Sequence, residues 1–145
     1  MPLRFGCFVA ALLGCMATPA GEAQPAGLLP NSSFDQASAD GLPVGFRKYV
    51  YGAQPMIAFD SQAKKDGRQS LRVSAERPSD TAIAQDIQLK PGAGYRFTGW
   101  VRTSGLAPEP RSWTHGTFQI QDASGRALAR CANHKGTTDW TRETG

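Results

Sequence analysis

The sequence has few of the features that mark an enzyme, a disulfide-rich protein or a membrane-spanning protein. Only three of its 145 residues are cysteine, and no apolar run reaches the roughly 20 residues that cross a bilayer. Motifs such as G-x-S-x-G, H-E-x-x-H and the glycine-rich phosphate loop are absent. The acidic residues Glu76, Glu109, Asp80 and Asp86 lie in no motif that suggests a catalytic carboxylate pair. We therefore expect this segment to be non-catalytic and to have no transmembrane segment.

Cysteine and histidine are too few for a metal cluster or a disulfide framework. Two cysteines lie near the N-terminus, so only Cys131 belongs to the rest of the chain and no internal disulfide is expected there. We expect Cys131 to be a buried small apolar residue rather than a reactive thiol. His115 and His134 are expected at the surface and not as catalytic bases.

The chain is basic, with 16 Lys and Arg against 12 Asp and Glu and a net charge of +4. Its basic residues are scattered, whereas nucleic-acid binders usually concentrate them in one stripe or patch. The sequence therefore predicts a solvated surface and no nucleic-acid partner.

The first 23 residues have the pattern of an export leader. Arg4 precedes an apolar run at 7–17, and small residues follow it, as in a secretory signal peptide. Cleavage after Ala20 or Ala23 would release a soluble protein. Alternatively, Leu-Leu-Gly-Cys at 12–15 resembles a bacterial lipobox, in which Cys15 is lipidated and anchors the protein. Either route predicts a protein that is secreted or located in the cell envelope, in the periplasm, at the outer membrane or outside the cell.

Residues 24–145 are predicted to form one all-β domain of about 120 residues. Short alternating runs are bounded by Gly, Pro, Asp and Asn, which is typical of a β-sandwich or barrel. We expect strands at 28–34, 46–51, 56–59, 70–74, 82–89, 95–102, 117–121 and 127–131. The segment 137–141 reads as the approach to a further strand, so the sequence favours a fragment of a longer protein over a minimal sandwich.

The run 95–102 alternates most clearly. Tyr95, Phe97, Gly99 and Val101 share one face, and Arg96, Thr98, Trp100 and Arg102 share the other. If the first face lies on the core, Trp100 lies on the outer face of its sheet. The reverse assignment places Trp100 in the core, and the sequence leaves both open.

Five segments follow one another in an order found in a known family. They are LPNSSFD at 29–35, GLPVGF at 41–46, DGRQSLRV at 66–73, QDIQLKPGAGYRFTGWVR at 85–102 and GTTDWT at 136–141. In this order they resemble the carbohydrate-binding modules with a galactose-binding-like jelly roll, the type shared by families four, nine, sixteen and twenty-two. Phe46 stands where the family usually has Trp, and the family's last strands are absent.

The resemblance implies a jelly-roll β-sandwich that binds a polysaccharide or other glycan without catalysis. It further implies an accessory module at the N-terminal end of a larger secreted glycoside hydrolase, whose catalytic part would lie outside this sequence. The alternative is a structural or adhesion β-sandwich with no sugar ligand.

Sugars combine apolar C–H faces with hydroxyl groups, so a site for them needs an aromatic platform beside hydrogen-bonding side chains. The candidate platform residues are Tyr49, Tyr51, Trp100 and Trp113, and the principal polar partners are Arg102 and Gln119. Trp140 is assigned to packing.

The resemblance also implies a structural calcium site. Asp35 matches the family's acid in the first strand, and Asp60 and Asp66 lie in a loop that often supplies further oxygens. Three scattered aspartates are equally typical of turns in an all-β domain, so both interpretations remain open at this point.

Overall fold

The computed structural model describes residues 5–10, 28–107 and 115–145, and within them the fold is all-β, without a helix. Each of its strands pairs antiparallel with its neighbours. The strands are β1 (Phe5–Ala10), β2 (Arg47–Gly52), β3 (Met56–Asp60), β4 (Ser70–Ala75), β5 (Ser79–Ala84), β6 (Thr98–Leu106), β7 (Gln119–Gln121), β8 (Ala127–Arg130) and β9 (Gly136–Thr144). In these ranges no helix has the length and apolarity to cross a membrane.

The strands form one larger sheet and two small ones. The five-stranded sheet has the order β3-β4-β1-β6-β9, while β2 pairs with β5 and β7 pairs with β8. The sheets are open, and the arrangement is consistent with a β-sandwich.

The core lies against the inner face of the five-stranded sheet. Leu71 of β4 and Phe34 are almost completely buried, with 1% and 2% exposure. Phe46 packs on Phe34 with ring centroids 5.5 Å apart, and its tilted geometry is one that aromatic pairs favour. The partly buried residues that complete this cluster are Phe46, Ile57, Phe59, Ile83 and Phe118. Ile83 belongs to β5, so the smaller β2–β5 sheet contacts the same core.

The alternation predicted for β6 is confirmed, and it settles which face is inside. Gly99, Val101 and Thr103 are buried, whereas Trp100 is half-buried on the opposite side of the strand. Gly99 allows the close approach of Phe118, because a Cβ atom at position 99 would lie 2.7 Å from the Phe118 ring. The inner face of β6 is therefore part of the core, and Trp100 lies on the outer face of the sheet.

The predicted strand at 28–34 is wrong, because this segment forms turns. Asn31 and Phe34 have φ values of 55° and 59°, a left-handed conformation that strands exclude. The side-chain amide of Asn31 donates to the carbonyls of Gln36 and Val44 at 2.8 and 3.2 Å, and its oxygen accepts from the N–H of Gln36. Local side-chain hydrogen bonds thus replace the strand ladder.

The other predicted strands are found, with shifted bounds. The strand predicted at 82–89 ends at Ala84 as β5, although partial burial continues to alternate through Gln85, Ile87 and Leu89. The segment 137–141, predicted as the approach to a strand, lies inside β9 itself. β9 pairs along β6 and forms one edge of the five-stranded sheet.

Strand β1 is an element that the sequence did not predict. It occupies residues 5–10, inside the segment interpreted as an export leader, and it lies in the middle of the five-stranded sheet. The cleavage positions and Cys15 fall outside the described residues, so the leader and the lipid anchor stay predictions.

Two single-residue expectations have different outcomes. Cys131 is buried, as predicted, and burial raises the pKa of its thiol, with a further contribution from the negative charge of Glu143. The surface position predicted for His134 is wrong, because this residue is 8% exposed and pairs with Glu143.

Candidate functional site

The aromatic residues predicted to bind sugar lie on two separate surfaces. Tyr49 and Tyr51 lie on β2, and Trp100 lies on β6. The inner sides of both sheets contribute to the same core, through Ile83 in one sheet and Leu71 in the other. The tyrosines and the tryptophan therefore project from different outward faces of the protein.

The first surface, which we call the tyrosine surface, comprises Arg47, Tyr49 and Tyr51 of β2 with Asp80 and Ala82 of β5. Tyr49 and Tyr51 are 46% and 71% exposed, which is unusual for large aromatic side chains. Residues two apart on a strand share a face and are separated by about 6.6 Å. Ala82 lies opposite Tyr49 in the ladder, so the neighbouring strand carries only a methyl group beside that ring.

Charged groups lie at both ends of this aromatic pair. Asp80 is the ladder partner of Tyr51, and Arg47 is paired with the carboxylate of Asp86. Two phenol rings with an acid at one end and an ion pair at the other offer both components of a sugar site. The rings can contact apolar C–H groups, and the charged groups and phenolic hydroxyls can hydrogen-bond to sugar hydroxyls.

The second surface lies around Trp100 on the outer face of the five-stranded sheet. The ammonium nitrogen of Lys65 lies 4.5 Å from the centroid of the Trp100 ring system, within the range of a cation–π contact. Arg102 lies 3.9 Å from the carboxylate of Asp139, and Arg142 is the ladder partner of Trp100. This surface is consequently more basic than the tyrosine surface, and a cation covers its tryptophan on one side.

Asp60 at the end of β3 holds the loop that leads towards Lys65. Its Oδ1 accepts hydrogen bonds from the N–H groups of Gln62 and Ala63, both at 2.9 Å, and its Oδ2 lies 3.4 Å from Arg72. The hydrogen bond from Ala63 is the main cause that lowers the pKa of Asp60. The Gln62 amide and the charges of Arg72 and Arg102 act in the same direction against the effect of burial. Asp60 is thus a charged structural residue in this loop.

The predicted calcium ligands are not brought together. In the part of the chain that the structure describes, no group of three or more His, Cys, Asp or Glu side chains could hold a metal ion. Asp35 accepts instead from the hydroxyl of Ser33 at 2.9 Å, Asp60 holds its own loop, and Asp66 is exposed. The turn interpretation of these aspartates is the one that agrees with this geometry.

The remaining candidates do not join either surface. Gln119 is exposed on β7, in a separate two-stranded sheet, and Trp113 lies outside the described residues. Conversely, the sequence did not indicate Lys65, Asp80 or Asp86 as neighbours of the aromatics. Which residues lie beside the aromatics depends on strand register and on the path of loops. Only the alternation within 46–51 could have indicated that Arg47 shares a face with the tyrosines.

Comparison of the chain with protein-family models, with curated proteins and with solved structures gave no match.

Proposed function

We propose that this protein is a non-catalytic carbohydrate-binding β-sandwich module, and that the tyrosine surface is its binding site. The observation that carries the proposal is the exposure of Tyr49 and Tyr51, side by side on one strand face. Burial of an aromatic ring stabilises a fold, whereas the side chain of Tyr51 remains mostly in water and that of Tyr49 about half in water. A pair of exposed aromatic rings is the platform that a sugar ring needs.

The ends of the platform favour a chain of sugars over an isolated apolar ligand. Asp80 beside Tyr51 and the Arg47–Asp86 pair beyond Tyr49 provide acceptors and donors for hydroxyl groups. Arg47 and Gly52 at the two ends of β2 are both exposed, which suits a polysaccharide that continues past both ends.

The finer parts of the proposal follow from the resemblance of the sequence. The fold would be a galactose-binding-like jelly roll, and the protein would be exported by its N-terminal leader. It would serve as an accessory module of a larger secreted glycoside hydrolase and hold that enzyme close to its polysaccharide.

The surface around Trp100 is the second candidate for the same function. Its Trp100 ring and the guanidinium of Arg102 are the residue types that the sequence suggested, and both are partly accessible. Lys65 covers Trp100 on one side, so that less of the ring remains for stacking. We therefore rank this surface below the tyrosine surface.

The experiment is a retention assay on a panel of insoluble polysaccharides, followed by competition with soluble oligosaccharides. We expect Tyr51→Ala and Tyr49→Ala each to weaken retention about fivefold or more, since one aromatic contact is worth about 1 kcal/mol. Trp100→Ala tests the second surface in the same assay. Leu128→Ala is the matched control, because Leu128 is also an exposed large side chain, at 56%, but lies on β8.

Three outcomes separate the hypotheses. Loss in the tyrosine variants alone supports the tyrosine surface. Loss in Trp100→Ala alone moves the site to the five-stranded sheet. A folded wild-type protein that no polysaccharide retains would favour the structural or adhesion sandwich.

A further inference from the structure

The central strand of the five-stranded sheet comes from the N-terminal segment. β1 lies between β4 and β6 and runs antiparallel to both, with five residue pairs in register on each side. A strand in this position forms backbone hydrogen bonds with both neighbours. If β1 were absent, β4 and β6 would each present an open edge in the interior of the sheet.

The positions beside β1 include the most deeply buried residues of the protein. Val9 is in register with Leu71 on one side and Val101 on the other, and these two are 1% and 0% exposed. Cys7 is in register with Val73 and with the fully buried Thr103. The register partners of positions 7 and 9 therefore include residues on the core face of the sheet, where a charge would be costly.

The register partners of positions 8 and 10 lie on the outer face of the sheet. Position 8 is in register with Arg72 and Arg102, and position 10 is in register with Trp100. A shift of one residue in the pairing would move every side chain of the central strand to the other face of the sheet. The core therefore fixes the register of any segment that pairs between β4 and β6. The residues at 5–10 are Phe-Gly-Cys-Phe-Val-Ala, a sequence without charge and without proline. Such a segment can occupy a central strand, because each residue retains its N–H donor.

The same residues belong to the predicted export leader. A segment that a signal peptidase removes cannot remain covalently attached as the central strand. Removal would leave the edges of β4 and β6 unpaired in the interior of the sheet, and such edges pair readily with other extended chains.

We propose that β4 and β6 form a strand-acceptor slot. Its ligand is an extended, uncharged, apolar segment that runs antiparallel to both strands. Residues 5–10 occupy the slot in the full chain, and a segment of the same chemistry from a separate polypeptide occupies it when they are displaced. Such a partner segment would form the same backbone hydrogen bonds with β4 and β6, and these bonds would supply its affinity. The core side of the sheet would require an apolar residue at every second position of the segment.

The test weakens the chain's own strand and supplies a replacement. The full chain is made by cell-free synthesis, so that residues 1–23 stay attached, and carries the substitution Val9→Asp. A charge at this register position, between Leu71 and Val101, should lower the Tm by about 10 °C or more. The matched control Met56→Asp places the same charge on β3, where the side chain is 57% exposed, and should change the Tm little.

A synthetic peptide with the sequence of residues 5–10, flanked by lysines for solubility, is then added to Val9→Asp. We expect it to bind one peptide per chain and to restore the Tm, whereas a peptide with Asp at the two positions matching Cys7 and Val9 does not. If Val9→Asp is unfolded by itself, recovery of folding upon peptide addition is the readout. An unchanged Tm in Val9→Asp, no effect of the peptide, or equal effects of both peptides would overturn the proposal. A dimer that excludes the peptide would also overturn it and assign the slot to a second copy of the chain.

A disulfide-trapping experiment tests the placement independently. In the full chain with Cys15 and Cys131 replaced by Ser, Val73→Cys or Thr103→Cys puts a cysteine in register with Cys7 on one side or the other. We expect at least one of the two to form a cross-link with Cys7 on oxidation, and Ser74→Cys, one register position away, to form none. Equal cross-linking in all three variants, or none in any, contradicts the slot.

Discussion

The imidazole of His134 and the carboxylate of Glu143 form a buried pair, with Nε2 of His134 lying 2.9 Å from Oε1 of Glu143. The second carboxylate oxygen of Glu143 accepts a hydrogen bond from the N–H of Ala132 at 3.1 Å. One side chain near the end of β9 thereby fixes two points of the segment that leads into that strand.

This relationship predicts a marked loss of stability in Glu143→Ala. The substitution leaves the ring of His134 and the N–H of Ala132 without their partner, and we expect a loss of about 1–3 kcal/mol in the free energy of unfolding. Urea denaturation measures it. Glu76→Ala is the control, because Glu76 is exposed, and equal midpoints for the two variants would show that the buried pair contributes nothing.

The lowered pKa of Asp60 leads us to expect that the folded protein loses stability at acidic pH. Its pKa is lowered in the folded protein, chiefly by the N–H of Ala63. The charged carboxylate therefore contributes stability that is fully present above the unfolded pKa of about 3.9 and is lost as the pH falls through the lower folded value.

We accordingly expect the Tm of the wild type to fall more steeply than that of Asp60→Asn as the pH is lowered from 5 to 2. Thermal melts across this range measure the difference. Asp66→Asn removes an exposed carboxylate from the following loop and should follow the wild type. Parallel curves for the wild type and Asp60→Asn would exclude this role of Asp60.

We expect a side chain added at Gly99 to clash with the core. A Cβ atom at this position would lie 2.7 Å from the Phe118 ring, which is too close for the two groups to coexist without movement. We expect Gly99→Ala to cost about 1–3 kcal/mol, as other overpacked cores do.

The additional substitution Phe118→Leu should recover part of that loss, because it removes the ring that the new methyl group meets. Gly94→Ala is the matched control, since no atom lies within 4 Å of the position of its Cβ. If Gly99→Ala is as stable as Gly94→Ala, the contact between Gly99 and Phe118 is not close in solution.

We expect the buried thiol of Cys131 to react slowly with alkylating reagents. Burial raises its pKa, and the charge of Glu143 acts in the same direction, so the reactive thiolate is rare at neutral pH. We expect iodoacetamide to modify Cys131 at least about tenfold more slowly in the folded protein than in urea. Peptide mass mapping resolves this residue, and Leu128→Cys supplies an exposed comparison on β8. Equal rates at the two positions would contradict the burial of Cys131.

The elements that the sequence predicted correctly are those governed by local alternation. The run 95–102 predicted both a strand and its two faces, because apolar and polar residues alternate there without interruption. The predicted strands at 117–121 and 127–131 likewise appear as β7 and β8, and the N–H of Gly125 closes the turn between them on the carbonyl of Asp122 at 2.9 Å.

The sequence failed where tertiary or side-chain contacts decide the conformation. The segment 28–34 contains apolar residues suitable for a strand, but the hydrogen bonds of Asn31 hold it in turns. The sequence named the aromatic residues of the candidate site, but it did not show that they lie on two separate surfaces. The separation of Tyr51 from Trp100 depends on how whole sheets pack. Burial of His134 could not be foreseen from a polar side chain whose partner lies on another segment.

The position of β1 has a consequence for the order of events during synthesis. Residues 5–10 leave the ribosome before their partners in β4 and β6, which follow about 60 and about 90 residues later. This spacing amounts to several seconds at about 5–20 residues per second. Throughout that interval the N-terminal segment has no slot to enter and is accessible to any factor that recognises a nascent leader. Completion of β6 ends the interval, so that the speed of translation sets the time in which the segment can be captured before it becomes part of the sheet.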